Sequence, residues 1–84
     1  MKEGYFKART ESGTVYTIRV TREVIEVPTR GGVHRKEGMV EMRCVENGRP
    51  VVRDETDGTY TRFTLVHIVE LPLVRLEETP FPDI

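Results

Sequence analysis

The chain reads as a small all-β domain: five or six short, mainly antiparallel strands forming a barrel or rolled sheet, SH3-like or OB-like, with an irregular C-terminal tail. Three observations predict this. Twelve valines and ten threonines stand against one alanine and four leucines; β-branched side chains are stiff at χ1 and suit a pleated surface, while Ala and Leu favour helices. Apolar and polar residues alternate with period two over most segments. Glycine turns, Ser12-Gly13, Asn47-Gly48 and Asp57-Gly58, separate those segments at short intervals.

The first strand is predicted over Gly4–Arg9, with Phe6 and Ala8 on one face and Tyr5, Lys7 and Arg9 on the other. After the turn at Glu11-Ser12-Gly13, a second strand starts at Thr14, with Tyr16, Ile18 and Val20 on its apolar face. The parity then flips, because Ile25 and Val27 continue the apolar pattern on odd numbers. Unbroken, Thr14–Val27 would span roughly 45 Å, against a radius of gyration of about 12 Å for a globule of this length. A bend, bulge or tight hairpin near Thr21-Arg22-Glu23 is therefore expected. Pro28 closes the segment, and Thr29–Gly38 reads as a loop.

The third strand is predicted over Met39–Glu46, with Val40, Met42 and Cys44 on one face. Asn47-Gly48 is a strong hairpin signal, since a type I′ turn needs positive φ at both central residues. A short fourth strand, Arg49–Arg53, and a long fifth, Thr59–Leu71, follow. The centre of the fifth, Leu65–Val69, is apolar on both faces, as in a strand covered on both sides or bent between two sheets. One domain over residues 1–74 is expected, followed by an acidic, Pro-containing tail over 75–84, with one short helical turn at Leu73–Glu78. The tail reads as a frayed terminus, with Phe81 between two prolines as a docking peptide for the alternative.

Eighty-four residues at a net charge of −1 favour neither nucleic acid nor a basic partner through global electrostatics. Residues 1–38 carry eight Lys/Arg and five Asp/Glu, and residues 39–84 carry five Arg and nine Asp/Glu, but strands of a barrel interleave such halves in space. No run approaches the ~20 apolar residues of a membrane span. Met1-Lys2-Glu3-Gly4 lacks an apolar leader, and the single cysteine cannot form an internal disulfide, so a cytoplasmic setting is expected.

The opening Tyr5-Phe6-Lys7-Ala8-Arg9-Thr10-Glu11-Ser12-Gly13-Thr14-Val15-Tyr16 resembles the start of small uncharacterised β-rich proteins of bacteriophages and actinobacteria. Those begin with a strand, a Thr-x-Ser-Gly-(Ser/Thr)-x-Tyr turn and a second strand, and often end in a strand near a Thr-Ser-Pro-Val-like segment. Here Thr64-Leu65-Val66 stands at that place without the Ser and Pro. The resemblance covers Tyr5–Tyr16 and implies an accessory protein of a phage or mobile element, with no catalytic residue or cofactor attached.

The chemistry-bearing residues are few. Cys44 alternates with Val40 and Met42 and reads as a core thiol; a nucleophile would need a neighbouring base. His67, inside Leu65–Val69, reads as a half-buried histidine and His34 as a solvated one. Two His and one Cys far apart lack metal-ligand spacing. Asp54-Glu55-Thr56-Asp57-Gly58 lacks the spacing of a calcium loop and reads as a hairpin tip. No catalytic set, metal or cofactor is expected.

Two binding candidates remain. In Arg30-Gly31-Gly32-Val33-His34-Arg35-Lys36, consecutive glycines let backbone N–H groups approach an anion beside three cations, although no Walker spacing is present. Tyr5 and Tyr60, with Arg9 and Arg62, form a candidate exposed aromatic and basic patch. The leading expectation is a non-enzymatic β-domain acting by protein binding, as a phage or mobile-element accessory protein that inhibits or redirects a host protein. Edge strands also offer pairing with a second copy, a homodimer. The alternative is a nucleic-acid-binding barrel using loop 30–36.

Overall fold

The computed structural model of the chain describes residues 2–56 and 58–83. Its six strands are β1 (Lys2–Arg9), β2 (Val15–Thr29), β3 (Gly32–Cys44), β4 (Pro50–Arg53), β5 (Arg62–Leu65) and β6 (Leu71–Arg75). All pair antiparallel with their sequence neighbours, and β1–β6 pairing at Ala8–Arg75 and Arg9–Val74 closes the barrel. The order is a meander throughout, without the Greek-key crossing of an OB barrel. Among the described residues, no helix is long and apolar enough to cross a membrane.

Closure follows from alternation. Phe6 and Ala8 of β1, Ile18 and Val20 of β2, Met42 and Cys44 of β3, Val51, Phe63, Leu65 and Leu73 all point inward and form the core. Phe6 and Phe63 lie with ring centroids 4.8 Å apart. Between β1 and β2, the Thr10–Thr14 turn is latched by Thr10: its N–H donates to the Thr14 carbonyl, and its Oγ1 accepts from the Thr14 N–H. Gly48 supplies the positive φ, 69°, that the β3–β4 turn needs.

The long second strand departs from expectation. It runs unbroken for 15 residues, because the molecule is elongated rather than globular: 54 × 27 × 23 Å, with a radius of gyration of 15.0 Å. Arg22 faces Val40 but Val24 faces Glu37, so Glu23 alone opposes Gly38 and Met39. The bulge near Arg22 is there, yet its extra residue belongs to β3. β2 therefore keeps its alternation, and Ile25 and Val27 stay on the face that carries Arg19 and Thr21 outward. A Cβ on Gly38 would lie 3.1 Å from both the Cβ and the carbonyl oxygen of Glu23, which is why this close approach takes glycine.

The segment expected as a loop, Thr29–Gly38, is instead a hairpin with a two-residue tip, Arg30-Gly31, after which β3 begins. The predicted fifth strand divides in two. β5 ends at Leu65, Val66–Glu70 forms a bend, and β6 returns beside β5 with Leu71 opposite Leu65. Leu73 accordingly sits in a strand and not in a helical turn. The apolar run there is no sign of two covered faces, since Ile68 is 89% exposed.

Beyond β6 the chain folds back on β1. The Leu76 N–H donates to the Lys7 carbonyl, and Thr79 Oγ1 accepts from the Lys7 N–H at 3.1 Å. Phe81 then packs against Phe6 and Tyr60, with centroids 5.5 and 4.9 Å away, and the Arg53 guanidinium lies 4.4 Å over the Tyr60 ring. Tyr60 takes a positive φ of 55°, an unusual conformation for an aromatic residue, held here by packing on both sides.

Candidate functional site

From the pair Val24–Glu37 to the pair Thr29–Gly32, β2 and β3 continue as a ribbon beyond the point where β1 ends at Lys2, opposite Arg22. Six residue pairs at ~3.3 Å each carry this arm roughly 20 Å from the barrel. None of its residues belongs to the core. β4 pairs only with Met42 and Arg43, so among the described residues the outer edge of β3 from Gly32 to Glu41 has no strand partner. The edge of β2 beyond Arg22 has none either.

Opposed residues in an antiparallel pair share a face. One face of the arm therefore carries Ile25 with Lys36 and Val27 with His34. The other carries Val24 with Glu37, Glu26 with Arg35, and Pro28 with Val33. Val33 is 64% and Met39 88% exposed. Glu26 and Arg35 form an ion pair at 3.5 Å. At the arm's root, Glu37 pairs with Arg22 and, at 3.8 Å, with Lys2. The Arg22 Nε is buried without a hydrogen-bond partner among the described residues.

The residues singled out in the sequence fall on this frame as follows. Arg30 and Gly31 form the tip, and Gly32, His34, Arg35 and Lys36 lie on β3 with side chains alternating between the two faces. The glycines and cations thus make a ribbon end and not a cradle. In the second group, Arg9 and Arg62 each oppose Val74, in one row across three strands. They line a cleft of about 440 Å³ together with Glu11 and Asp54, so its charges balance. Tyr5 lies within β1 opposite Arg19, and no ring contact among the described residues joins it to Tyr60, which packs on Phe81 with the rings tilted.

A charged network on the outer face was not read from the sequence. Arg19 and Arg43 oppose each other directly, and each is held by a carboxylate: Arg19 by Glu3 at 2.9 Å and Arg43 by Glu41 at 2.7 Å. The Tyr5 hydroxyl and Arg19 hydrogen-bond to Glu3 and keep its pKa below the ordinary value. Arg19 and Glu3 lie on neighbouring strands, and pairing them needs the register, which alternation alone does not supply; Glu41 and Arg43 lie two apart on one edge of β3.

Cys44 is buried, and its thiol donates to Glu46 Oε2 at 3.3 Å. Burial pushes the thiol pKa up, the reverse of what a nucleophile needs. Burial also raises the Glu46 pKa, but the Thr17 N–H, donating at 2.8 Å, and other donors outweigh it and leave the carboxyl below its usual range. His67 lies exposed on the bend after β5, not half-buried as the apolar run suggested, and His34 is exposed on the arm. Among the described residues no group of three or more His, Cys, Asp or Glu could hold a metal ion.

The arm was half visible beforehand. The odd-numbered apolar residues Ile25 and Val27 signalled it, but the same pattern fits a strand that turns back into the barrel. No family model, curated protein or solved structure matches the chain.

Proposed function

We propose that this chain is a non-enzymatic binding domain that contacts a protein partner through the β2–β3 arm. One observation carries the reading: among the described residues, the arm stands clear of the barrel with both edges open and contributes nothing to the core. Unpaired strand edges are templates for another strand, and strand addition draws its affinity from main-chain hydrogen bonds. The partner is a host protein where the chain serves a phage or mobile element, as its opening segment implies. A cytoplasmic setting fits the one cysteine, a free thiol.

Site-specific photo-crosslinking in cells tests this reading. Probes at Val27, Val33 and Met39 should cross-link to protein, while probes at Val52 and Val74 on the barrel should not. Cross-links from the barrel positions alone would refute it.

A second reading has one observation in its favour. From Val27 to Lys36 the arm carries Arg30, Arg35 and Lys36 and no carboxylate, and a two-stranded ribbon fits the major groove of duplex DNA. It ranks second because Glu23, Glu26, Glu37 and Glu41 flank the tip. It predicts salt-sensitive binding lost on replacing Arg30, Arg35 and Lys36 by Ala, and nuclease-sensitive adducts from the same probes.

A further inference from the structure

The two open edges of the arm differ. β2 carries Pro28, which has no N–H to give to a ladder and so guards its edge. β3 has no proline, and its edge is open from Gly32 to Glu41. We infer that a second copy of this chain occupies the β3 edge, the two strands pairing antiparallel about a twofold axis with Arg35 of each copy facing Glu37 of the other. The inference rests on reading the arm as a protein-contact element and names the partner.

Symmetry leaves few registers. A twofold perpendicular to the sheet keeps each side chain on its own face, so facing residues must share a face within β3. Centred on Lys36, the pairing sets Arg35 against Glu37 twice and, past the bulge at Gly38-Met39, Val33 against Val40 twice, because Val40 and not Met39 shares the face of Val33, Arg35 and Glu37. Against these stands one Lys36–Lys36 contact on the axis, between long side chains that can diverge into water.

The other registers are poorer. Centred on Arg35, that residue meets itself, His34 meets Lys36 and Val33 meets Glu37. Centred on Glu37, that residue meets itself and, past the bulge, Arg35 meets Val40. A centre within the bulge at Gly38-Met39 offers no regular ladder to pair. Like charges placed directly opposite destabilise a pair, while opposite charges and apolar pairs stabilise it. Val33 and Val40 are exposed and outside the barrel core, so the pairing covers apolar surface without disturbing the fold. The contact is isologous and closes at two copies.

Sedimentation velocity over a wide concentration series tests the inference. The wild type should approach twice the 9.7 kDa chain mass. Arg35→Glu sets two carboxylates opposite each other at both symmetry-related positions, and Glu37→Arg sets two guanidiniums there. Each alone should weaken self-association about tenfold or more. An equimolar mixture of the two variants faces Glu with Arg at both positions and should associate well above either component. Val33→Lys, which sets a charge against Val40 twice, should weaken self-association with an unchanged barrel spectrum.

A wild type that stays monomeric at every concentration, or a mixture no better than its components, overturns the second copy. The photo-crosslinks separate the two levels of the reading. Arm adducts to a different protein with a monomeric wild type leave the arm as a contact element and remove only the second copy. No arm adducts at all removes both, and nucleic-acid adducts move the arm to the alternative reading.

Discussion

Excising the arm should leave a folded barrel. The cut removes the 17 residues Glu23–Met39 and joins Arg22 to Val40, which already face each other, through an Asn-Gly turn suited to a two-residue hairpin loop. None of the buried core residues lies in the removed stretch. The losses are the ion pairs of Glu37 with Arg22 and Lys2, whose side chains are partly exposed, at about 0–1 kcal/mol each. The ribbon itself adds little, since an isolated two-stranded hairpin is marginal in water. The expected change in unfolding free energy is less than ~2 kcal/mol, or under ~15 °C in Tm for a domain of this size. By contrast, Phe63→Ala in the core should cost about 3–5 kcal/mol. Urea denaturation followed by far-ultraviolet circular dichroism measures both. The slope of the transition should fall by no more than the fraction of chain removed, about a fifth. A truncated protein without a cooperative transition, or one weakened as much as Phe63→Ala, would refute the separation of arm from core.

Three further outcomes follow from the same packing. Gly38→Ala should destabilise by about 1 kcal/mol, because the new Cβ lies 3.1 Å from the Glu23 carbonyl oxygen; a Gly→Ala change at a permissive site would instead stabilise by roughly 0.4–1 kcal/mol, so the sign of the urea midpoint shift decides. Phe81→Ala should cost about 1.5–2.5 kcal/mol, half the full-burial figure for a half-buried ring, and an unshifted thermal midpoint would show that the tail contributes nothing to the core. Burial raises the Cys44 pKa, so the folded state holds a proton that the unfolded chain releases: this contribution is full below the unfolded thiol pKa, about 8.5, and is lost as pH rises toward the folded value. Urea midpoints across that range should decline in the wild type and decline less in Cys44→Ala, and equal slopes would refute the assignment.

The barrel was largely legible in the sequence because its strands obey one rule. Phe6 and Ala8, Ile18 and Val20, and Met42 and Cys44 alternate with polar neighbours, and each pair was placed on its inward face before any register was known. What failed did so where alternation is ambiguous or where size was assumed. Leu65–Val69 reads as a strand covered on both sides or bent between two sheets, but an apolar run carries no period, and the chain bends there with Ile68 and Val69 in water. The arm is only half legible because the length argument assumes a sphere: the expected bulge is present near Arg22, but in an elongated molecule the strand runs on past it. Pairings such as Arg19 with Glu3 needed the register between distant segments, which no local pattern contains. The segment 30–36 reads as a loop and hence as a cradle, but it is the end of a ribbon whose side chains alternate between two faces.

The composition of the arm bears on how a partner can reach it. Ile25 and Val27 lie on one face, Pro28 and Val33 on the other, and each face also carries charge from Lys36, Glu26 or Arg35. A flat partner docking on either face would bury a charge for every apolar residue it covers, and an unpaired buried charge outweighs the gain. Addition of a strand at the β3 edge avoids this. It uses backbone groups that are already aligned, leaves long charged side chains free to reach water above and below the sheet, and asks of the side chains only that neighbours along the edge match in sign and polarity. Within β3 the sequence from Val33 to Val40 meets that condition against its own reverse, which is why edge pairing accounts for the arm better than a contact on either face.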